Sequence, residues 1–259
     1  MATIRSLREL ERKQIRDREE VVSRLGRRLV SIYAQAIQRL GNDSESADDF
    51  REAFSRTQEL DRILQELGLG DELRRIQAHY RRELQNAAAL FAEGTGQPIS
   101  GLSIDALTAL VDLDMEQITK SLDSYGVDIR SEIVRSVTLG STEGLTDFID
   151  TMSERIGRVA ATEINTSYAS FSRAATAEFA EQVGLDLFLY DGPDDALTRD
   201  FCNEVLDRDP PIYTLEEIQA LDNGSGLDVL TSGGGFNCRH QWVPISEEFA
   251  RNLGYDGRD

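Results

Sequence analysis

The sequence predicts an α+β protein, with a mainly α-helical N-terminal arm and bundle followed by a small C-terminal α+β module. Two observations lead to this fold class. Over the first two thirds of the 259 residues, apolar side chains recur three or four positions apart, as in amphipathic helices. From residue 185 onward, short alternating segments are separated by glycine-rich loops. We therefore place one domain at 1–140 and a second at 141–259, with the small α+β part at 185–246.

Six helical segments are predicted before the pattern changes. They cover about 4–40, 45–67, 71–93, 103–122, 127–138 and 142–182. Glycines mark the breaks, at Gly41, at Gly68 with Gly70, at Gly140 and at Gly184. Glycine is the residue that most often ends a helix, because it adopts the left-handed backbone conformation without strain.

The C-terminal module is predicted to contain short strands and short helices. The elements are a strand over 185–190, helices over about 195–206 and 215–221, and a strand over 241–245. Thr214 and Glu217 have the spacing of a capping box, in which each side chain binds the backbone N–H of the other residue. A module of this size buries few apolar residues, so a covalent or metal crosslink would benefit it.

The charge distribution restricts the partners of the chain. The net charge of −19 argues against a protein that coats nucleic acid over its whole surface. Residues 1–30 nevertheless carry nine Arg or Lys against five Asp or Glu, and residues 181–259 carry five Arg against 17 acidic residues. This asymmetry suggests different partners at the two ends, and two solvated faces are the alternative explanation.

Neither a membrane span nor a secretory signal is predicted. No run of 18 apolar residues occurs, and the first twenty residues are charged throughout. We expect the chain to remain in the cytoplasm of the cell that makes it, without a membrane partner.

Four residues near the C-terminus are candidate metal ligands. Cys202, Cys238 and His240 offer sulfur and nitrogen atoms, and Asp200 offers a carboxylate as a fourth ligand. Zinc suits such a donor set. Other aspartates or water can take the place of Asp200. Two alternatives stay open, namely a disulfide between the cysteines and a pair of reduced thiols in the core.

Catalysis is not expected from these residues, because no third group orients a Cys–His pair. A metal-dependent hydrolase or an effector that uses Cys202, Cys238 and His240 is the alternative function. His79 lies in a helical stripe and is expected to be a surface or a hydrogen-bonded core histidine rather than a ligand.

An ordered set of short motifs links this chain to a known family. The set comprises a helix with Thr162-Glu163, a strand ending in Tyr190-Asp191, the segment Asp195-x-x-Thr198-x-x-x-Cys202, and Asn237-Cys238-Arg239-His240 followed by Pro244. It resembles the Mu-F-like minor head protein, or head morphogenesis, family of tailed bacteriophages over about residues 140–246. Ala161 and His240 depart from the family pattern, which has Arg and Cys there. Because histidine also binds metals, the second departure favours a metal site.

The resemblance implies a structural, non-enzymatic minor head (minor capsid) protein in the virion. Such a protein would be associated with the portal vertex and would act in head morphogenesis and in genome packaging or ejection. The implied partners are the portal protein, a capsid or scaffold protein and packaged DNA, with assembly in the host cytoplasm. Candidate contacts to portal or DNA are the arginines of the basic first segment, Arg5, Arg8, Arg12, Arg16 and Arg24.

Overall fold

A computed structural model of the protein describes residues 4–45, 55, 57–96, 105–139 and 143–257. The helices of this part are α1 (Ile4–Glu45), α2 (Leu60–Glu66), α3 (Leu69–Thr95), α4 (Asp105–Leu139), α5 (Glu143–Val159), α6 (Asn165–Val183), α7 (Asp200–Leu206), α8 (Leu215–Gln219), α9 (Val229–Ser232) and α10 (Glu247–Asn252). The strands are β1 (Leu187–Asp191), β2 (Ile212–Thr214) and β3 (Gln241–Pro244). The predicted fold class is confirmed. No helix of the described residues is both long and apolar enough to cross a membrane.

Several predicted helix breaks are wrong. Helix α1 continues through Gly41, and α4 is a single helix where the sequence predicted two, with Gly126 inside it. Gly68 does end α2, with a φ of 98°, but Gly70 lies within α3. A glycine inside a helix costs only about 1 kcal/mol relative to alanine, so packing of the flanking apolar residues outweighs it. Residues 46–54 and 56 of the predicted helix over 45–67 lie outside the described residues, and α2 accounts for its end.

The predicted long helix over 142–182 is present with one irregularity. Helices α5 and α6 are joined by a π-helical turn, Ala160–Ile164, which holds the Thr162-Glu163 motif. Such a turn inserts one residue into a continuous helix and rotates the residues that follow it. The sequence pattern did not predict it.

The three strands form one antiparallel sheet in the order β2-β1-β3. In the central strand, Leu189 lies opposite both Ile212 and Val243, and Tyr190 lies opposite Trp242. Both predicted strands are confirmed to within two residues. Strand β2 was not predicted, because three residues are too few to show an alternating pattern.

Both faces of the sheet are buried, so the sheet forms a layer between two clusters of packed side chains. Phe188, Tyr190 and Trp242 pack on one face with Cys202 and Cys238. The other face carries a second cluster, which contains Leu7, Leu90, Leu189, Ile212, Val243 and Ile245. Because neighbouring residues in a strand point to opposite faces, adjacent residues of β1 belong to two different clusters.

The chain divides into two compact units that interleave along the sequence. Unit A comprises Met1–Glu20, His79–Val111 and Asn165–Asp259, and it contains the sheet. Unit B comprises Val21–Ala78 and Asp112–Ile164. The domain split after residue 140 stays a prediction.

Unit B has a helical core of its own. Its buried side chains include Leu29, Ile32, Tyr33, Ile37, Leu60, Ile63, Ile118, Leu122, Ile129, Met152 and Ile156. Polar contacts also join its helices: the Tyr33 hydroxyl donates to the carbonyl of Leu122 at 3.1 Å, and Arg130 pairs with Asp61 at 2.7 Å.

Candidate metal centre

Cys202, Cys238 and His240 meet in the interior of unit A. Cys202 lies in α7, and the other two lie in the loop between α9 and β3. The Sγ atoms of the cysteines are 3.9 Å apart, and His240 Nδ1 lies 3.8 Å from Cys238 Sγ. All three ligand atoms lie within 4.8 Å of one another, so the group can hold a metal ion. The three residues are at most 3% exposed.

Two glycines allow the chain to pass this close to the ligands. A Cβ on Gly234 would lie 2.4 Å from Cys202 Sγ, and a Cβ on Gly192 would lie 2.4 Å from the imidazole ring of His240. Any side chain at either position would displace a ligand. The loop residue Asn237 is held in place by α6, since its backbone N–H donates to the hydroxyl of Thr166 at 2.9 Å.

Arg173, a residue that the sequence did not point to, organises the same loop from helix α6. Its guanidinium group is buried, with the residue 1% exposed. It donates to four backbone carbonyls, of Thr231 at 2.6 Å, His240 at 2.8 Å, Ser232 at 3.2 Å and Cys238 at 3.4 Å. One arginine thus fixes both the end of α9 and the two ligand-bearing residues of the loop.

The charge of Arg173 has a clear counterpart at the cysteines. Among the described residues no carboxylate forms an ion pair with it, and a buried cation needs a nearby anion. Burial lowers the pKa of Arg173, while Cys238 opposes this effect. In turn, the hydrogen bond from Cys202 lowers the pKa of Cys238 against the effect of burial, and His240 and Arg173 add to the lowering. Of the two cysteines, Cys238 is therefore the one whose thiolate form its surroundings favour.

Tyr190 completes the group, and the sequence singled it out only as the end of a strand. Its hydroxyl donates to Cys202 Sγ at 3.3 Å and lies 3.9 Å from Cys238 Sγ. Its ring stacks on His240, with ring centres 5.2 Å apart and planes 10° apart. Burial raises the pKa of this tyrosine, and the neighbouring thiols add to the effect.

Asp200, the predicted fourth ligand, is not part of the group. It is exposed in the first turn of α7, two residues before Cys202. Side chains two positions apart in a helix point in very different directions, so α7 cannot turn both residues toward the same centre. Of the other aspartates considered, Asp195 pairs with Arg239 and Asp191 pairs with Arg8.

No protein-family model, curated protein or solved structure matched this chain.

The structure places the five candidate arginines of α1 in different settings. Arg5 is exposed and pairs with Glu9 at 3.0 Å, whereas Arg8 reaches Asp191 at the end of β1. Arg12, Arg16 and Arg24 are exposed. The candidates therefore do not act as one uniform surface, because one of them contributes to the packing of α1 in unit A.

His79 is a hydrogen-bonded core histidine, one of the two settings predicted for it. Its Nε2 lies 3.2 Å from Glu83 Oε1, and its ring packs against Tyr168. Arg18 binds the other oxygen of Glu83 at 2.8 Å. The resulting buried network does not involve the cysteines.

Proposed function

We propose that Cys202, Cys238 and His240 bind a structural zinc ion. In a tetrahedral site with Zn–S near 2.3 Å and Zn–N near 2.0 Å, two sulfurs lie about 3.8 Å apart and sulfur and nitrogen about 3.5 Å. The corresponding distances here are 3.9 Å and 3.8 Å. Two of the three distances are therefore within about 0.3 Å of what a zinc ion requires, and all three ligand atoms lie within 4.8 Å of one another.

The surroundings favour zinc over the two alternatives for the cysteines. A disulfide would remove the thiolate that compensates Arg173, and its sulfurs would need to approach to about 2.05 Å. Both cysteines are free. Two reduced thiols would leave His240 Nδ1 with only a 3.8 Å contact to Cys238 Sγ. Zinc accepts both thiolates and one nitrogen of His240.

The burial of the group supports a structural rather than a catalytic role. Catalytic zinc sites keep one position open to water or substrate, whereas structural sites are closed by the protein. Here the three ligand residues are buried, and the hydroxyl of Tyr190 occupies the remaining side. A substrate would have no access to a metal ion held there.

We further propose that the whole chain is a structural minor head protein of a tailed bacteriophage. The observation that carries this proposal is the convergence of motifs that are far apart in sequence. The strand end at Tyr190, the Asp195–Cys202 segment and the Asn237–His240 segment meet at one centre. An exposed ion pair between Asp195 and Arg239, at 2.8 Å, also joins the last two segments. Such convergence supports the resemblance to the Mu-F-like family, because motifs that share one structural role occur as a set.

In this proposal the protein associates with the portal vertex and acts in head morphogenesis and in genome packaging or ejection. The portal protein, a capsid or scaffold protein and packaged DNA are the proposed partners. Exposed arginines of α1, such as Arg12 and Arg16, would contact acidic portal side chains or DNA phosphates.

Quantitative mass spectrometry of purified phage particles tests this function. We expect a few copies of the chain per portal in full heads, and fewer copies after genome release if the protein is ejected. Tail proteins of the same particles, which remain after release, serve as the internal control. Absence of the chain from full particles would contradict the proposal and favour the hydrolase or effector.

A further inference from the structure

We infer that the phenolate oxygen of Tyr190 is the fourth ligand of the metal centre. This inference rests on the proposed zinc ion and specifies its coordination. Cys202, Cys238 and His240 supply three ligand atoms, and a closed tetrahedral site requires a fourth from the protein.

The position of the Tyr190 hydroxyl fits that requirement. With Zn–O near 2.0 Å and Zn–S near 2.3 Å, a tetrahedral oxygen lies about 3.5 Å from each sulfur. The hydroxyl oxygen is 3.3 Å from Cys202 Sγ and 3.9 Å from Cys238 Sγ, values on either side of the expected one. An ion placed between the two sulfurs and His240 would therefore also reach this oxygen.

The fold holds Tyr190 at this place independently of a metal. The residue lies in the central strand, opposite Trp242, and its ring packs on that indole with centres 4.3 Å apart. The ring also stacks on His240. A side chain that is already fixed loses little conformational entropy when it binds an ion, which favours its use as a ligand.

The charges of the site also favour a phenolate. Zinc with two thiolates is neutral, so the buried guanidinium of Arg173 would leave one uncompensated positive charge. A phenolate at Tyr190 makes the whole group neutral. When zinc binds, the protons carried by the two thiols and by the Tyr190 hydroxyl are released to the solvent.

The test compares Tyr190→Phe with the wild-type chain in zinc affinity and in the visible spectrum of the Co²⁺-substituted protein. Tyr213→Phe is the matched control, because Tyr213 is also buried against Trp242 and its hydroxyl binds a backbone carbonyl instead. Loss of an outer hydrogen bond lowers metal affinity about 10–100-fold. We expect Tyr190→Phe to weaken zinc binding by more than about 100-fold and to change the Co²⁺ spectrum. The control should do neither.

The outcomes distinguish a failure of the Tyr190 ligand from a failure of the zinc centre itself. A Tyr190→Phe variant whose Co²⁺ spectrum matches that of the wild type overturns the inference, whatever its affinity, and leaves the zinc centre in place. A wild-type chain that binds neither zinc nor Co²⁺ overturns the zinc centre itself. If Tyr190→Phe does not fold, the ultraviolet difference spectrum of the wild type on zinc addition decides. A tyrosinate band supports the inference, and its absence overturns it.

Discussion

At the scale of single residues, unit A places charged side chains in its interior, and two of them, Arg173 and Glu83, have partners beside them. Arg173 is matched by carbonyls and a thiolate, and Glu83 is matched by Arg18 and His79. Charges of this kind contribute little net stability while the partners are intact, but removal of one partner leaves the other unpaired. Buried charges are therefore the positions most sensitive to substitution.

Replacement of Glu83 by Gln is expected to destabilise the protein by about 3 kcal/mol, because Arg18 would remain buried without an anion. Urea unfolding at neutral pH measures the change. The control is Glu66→Gln, which removes an exposed carboxylate between Arg39 and Arg62 and is expected to have little effect. Equal stability of the Glu83 variant and the wild type would show that the network does not stabilise the fold.

Glu83→Gln is also expected to change how the stability of the fold depends on pH in the acidic range. Burial raises the pKa of Glu83, but Arg18 and His79 outweigh burial, so the folded-state pKa lies below the ordinary value of 4.5. A carboxylate of this kind stabilises the fold fully above its ordinary pKa, and that contribution disappears as the pH falls through the folded-state pKa. The difference in stability between wild type and Glu83→Gln should therefore narrow as the pH falls below about 4.5.

At the scale of elements, the end of α3 packs closely against the end of β3. A Cβ on Gly94 would lie 2.2 Å from the carbonyl oxygen of Pro244, and the backbone N–H of Ser246 donates to the carbonyl of Gly94 at 3.3 Å. Glycine is required here for close approach of two backbones, and not for a turn.

Gly94→Ala is expected to cost about 1–3 kcal/mol, since the strand end or the helix must move. Gly157→Ala is a suitable control, because its helical site has only Val30 within 4 Å, at 3.9 Å. That control should be neutral or stabilising by up to about 1 kcal/mol. Thermal unfolding, monitored by circular dichroism, measures the stability of both variants. A Gly94→Ala variant as stable as Gly157→Ala would refute the packing argument.

At the scale of the whole molecule, unit A joins segments from both ends of the chain. The first turns of α1 contribute Leu7 to the cluster on one face of the sheet, and Glu11 is buried beside Asp191. Burial raises the pKa of Glu11, and the carboxylate of Asp191 raises it further. The two cysteines of the candidate metal centre lie on the other face of the same sheet. We therefore expect the loss of a zinc ion bound there to lower the stability of unit A as a whole.

Chelation of zinc is expected to lower the melting temperature of unit A. A ligand present at about 100 times its Kd stabilises a fold by about 2.7 kcal/mol. For a domain of about 150–250 residues this corresponds to a shift of roughly 5–11 °C. Cys238→Ser should abolish the zinc-dependent shift, whereas Asp200→Asn should retain it, because Asp200 lies outside the group. The proposal fails if zinc leaves the melting temperature of the wild type unchanged.

The sequence by itself determined the features that depend on local patterns. Apolar periodicity gave the helical character of the first two thirds and the two main strands of the sheet. The capping box at Thr214 and Glu217 is present as predicted, with both hydrogen bonds formed. Cys202, Cys238 and His240 were identified as candidate ligands from residue type and spacing alone, because few side chains offer sulfur or imidazole nitrogen to a metal.

Which other residues surround the three candidate ligands was decided only by the tertiary structure. Asp200 was favoured by its proximity in sequence, yet Tyr190, twelve residues before Cys202, lies beside the thiols. Arg173 reaches the loop of Cys238 from a helix 65 residues earlier. Contacts of this kind depend on how helices and strands pack, and on which buried charges then require a partner. A periodic pattern records which face of an element is buried, but not which other element covers that face.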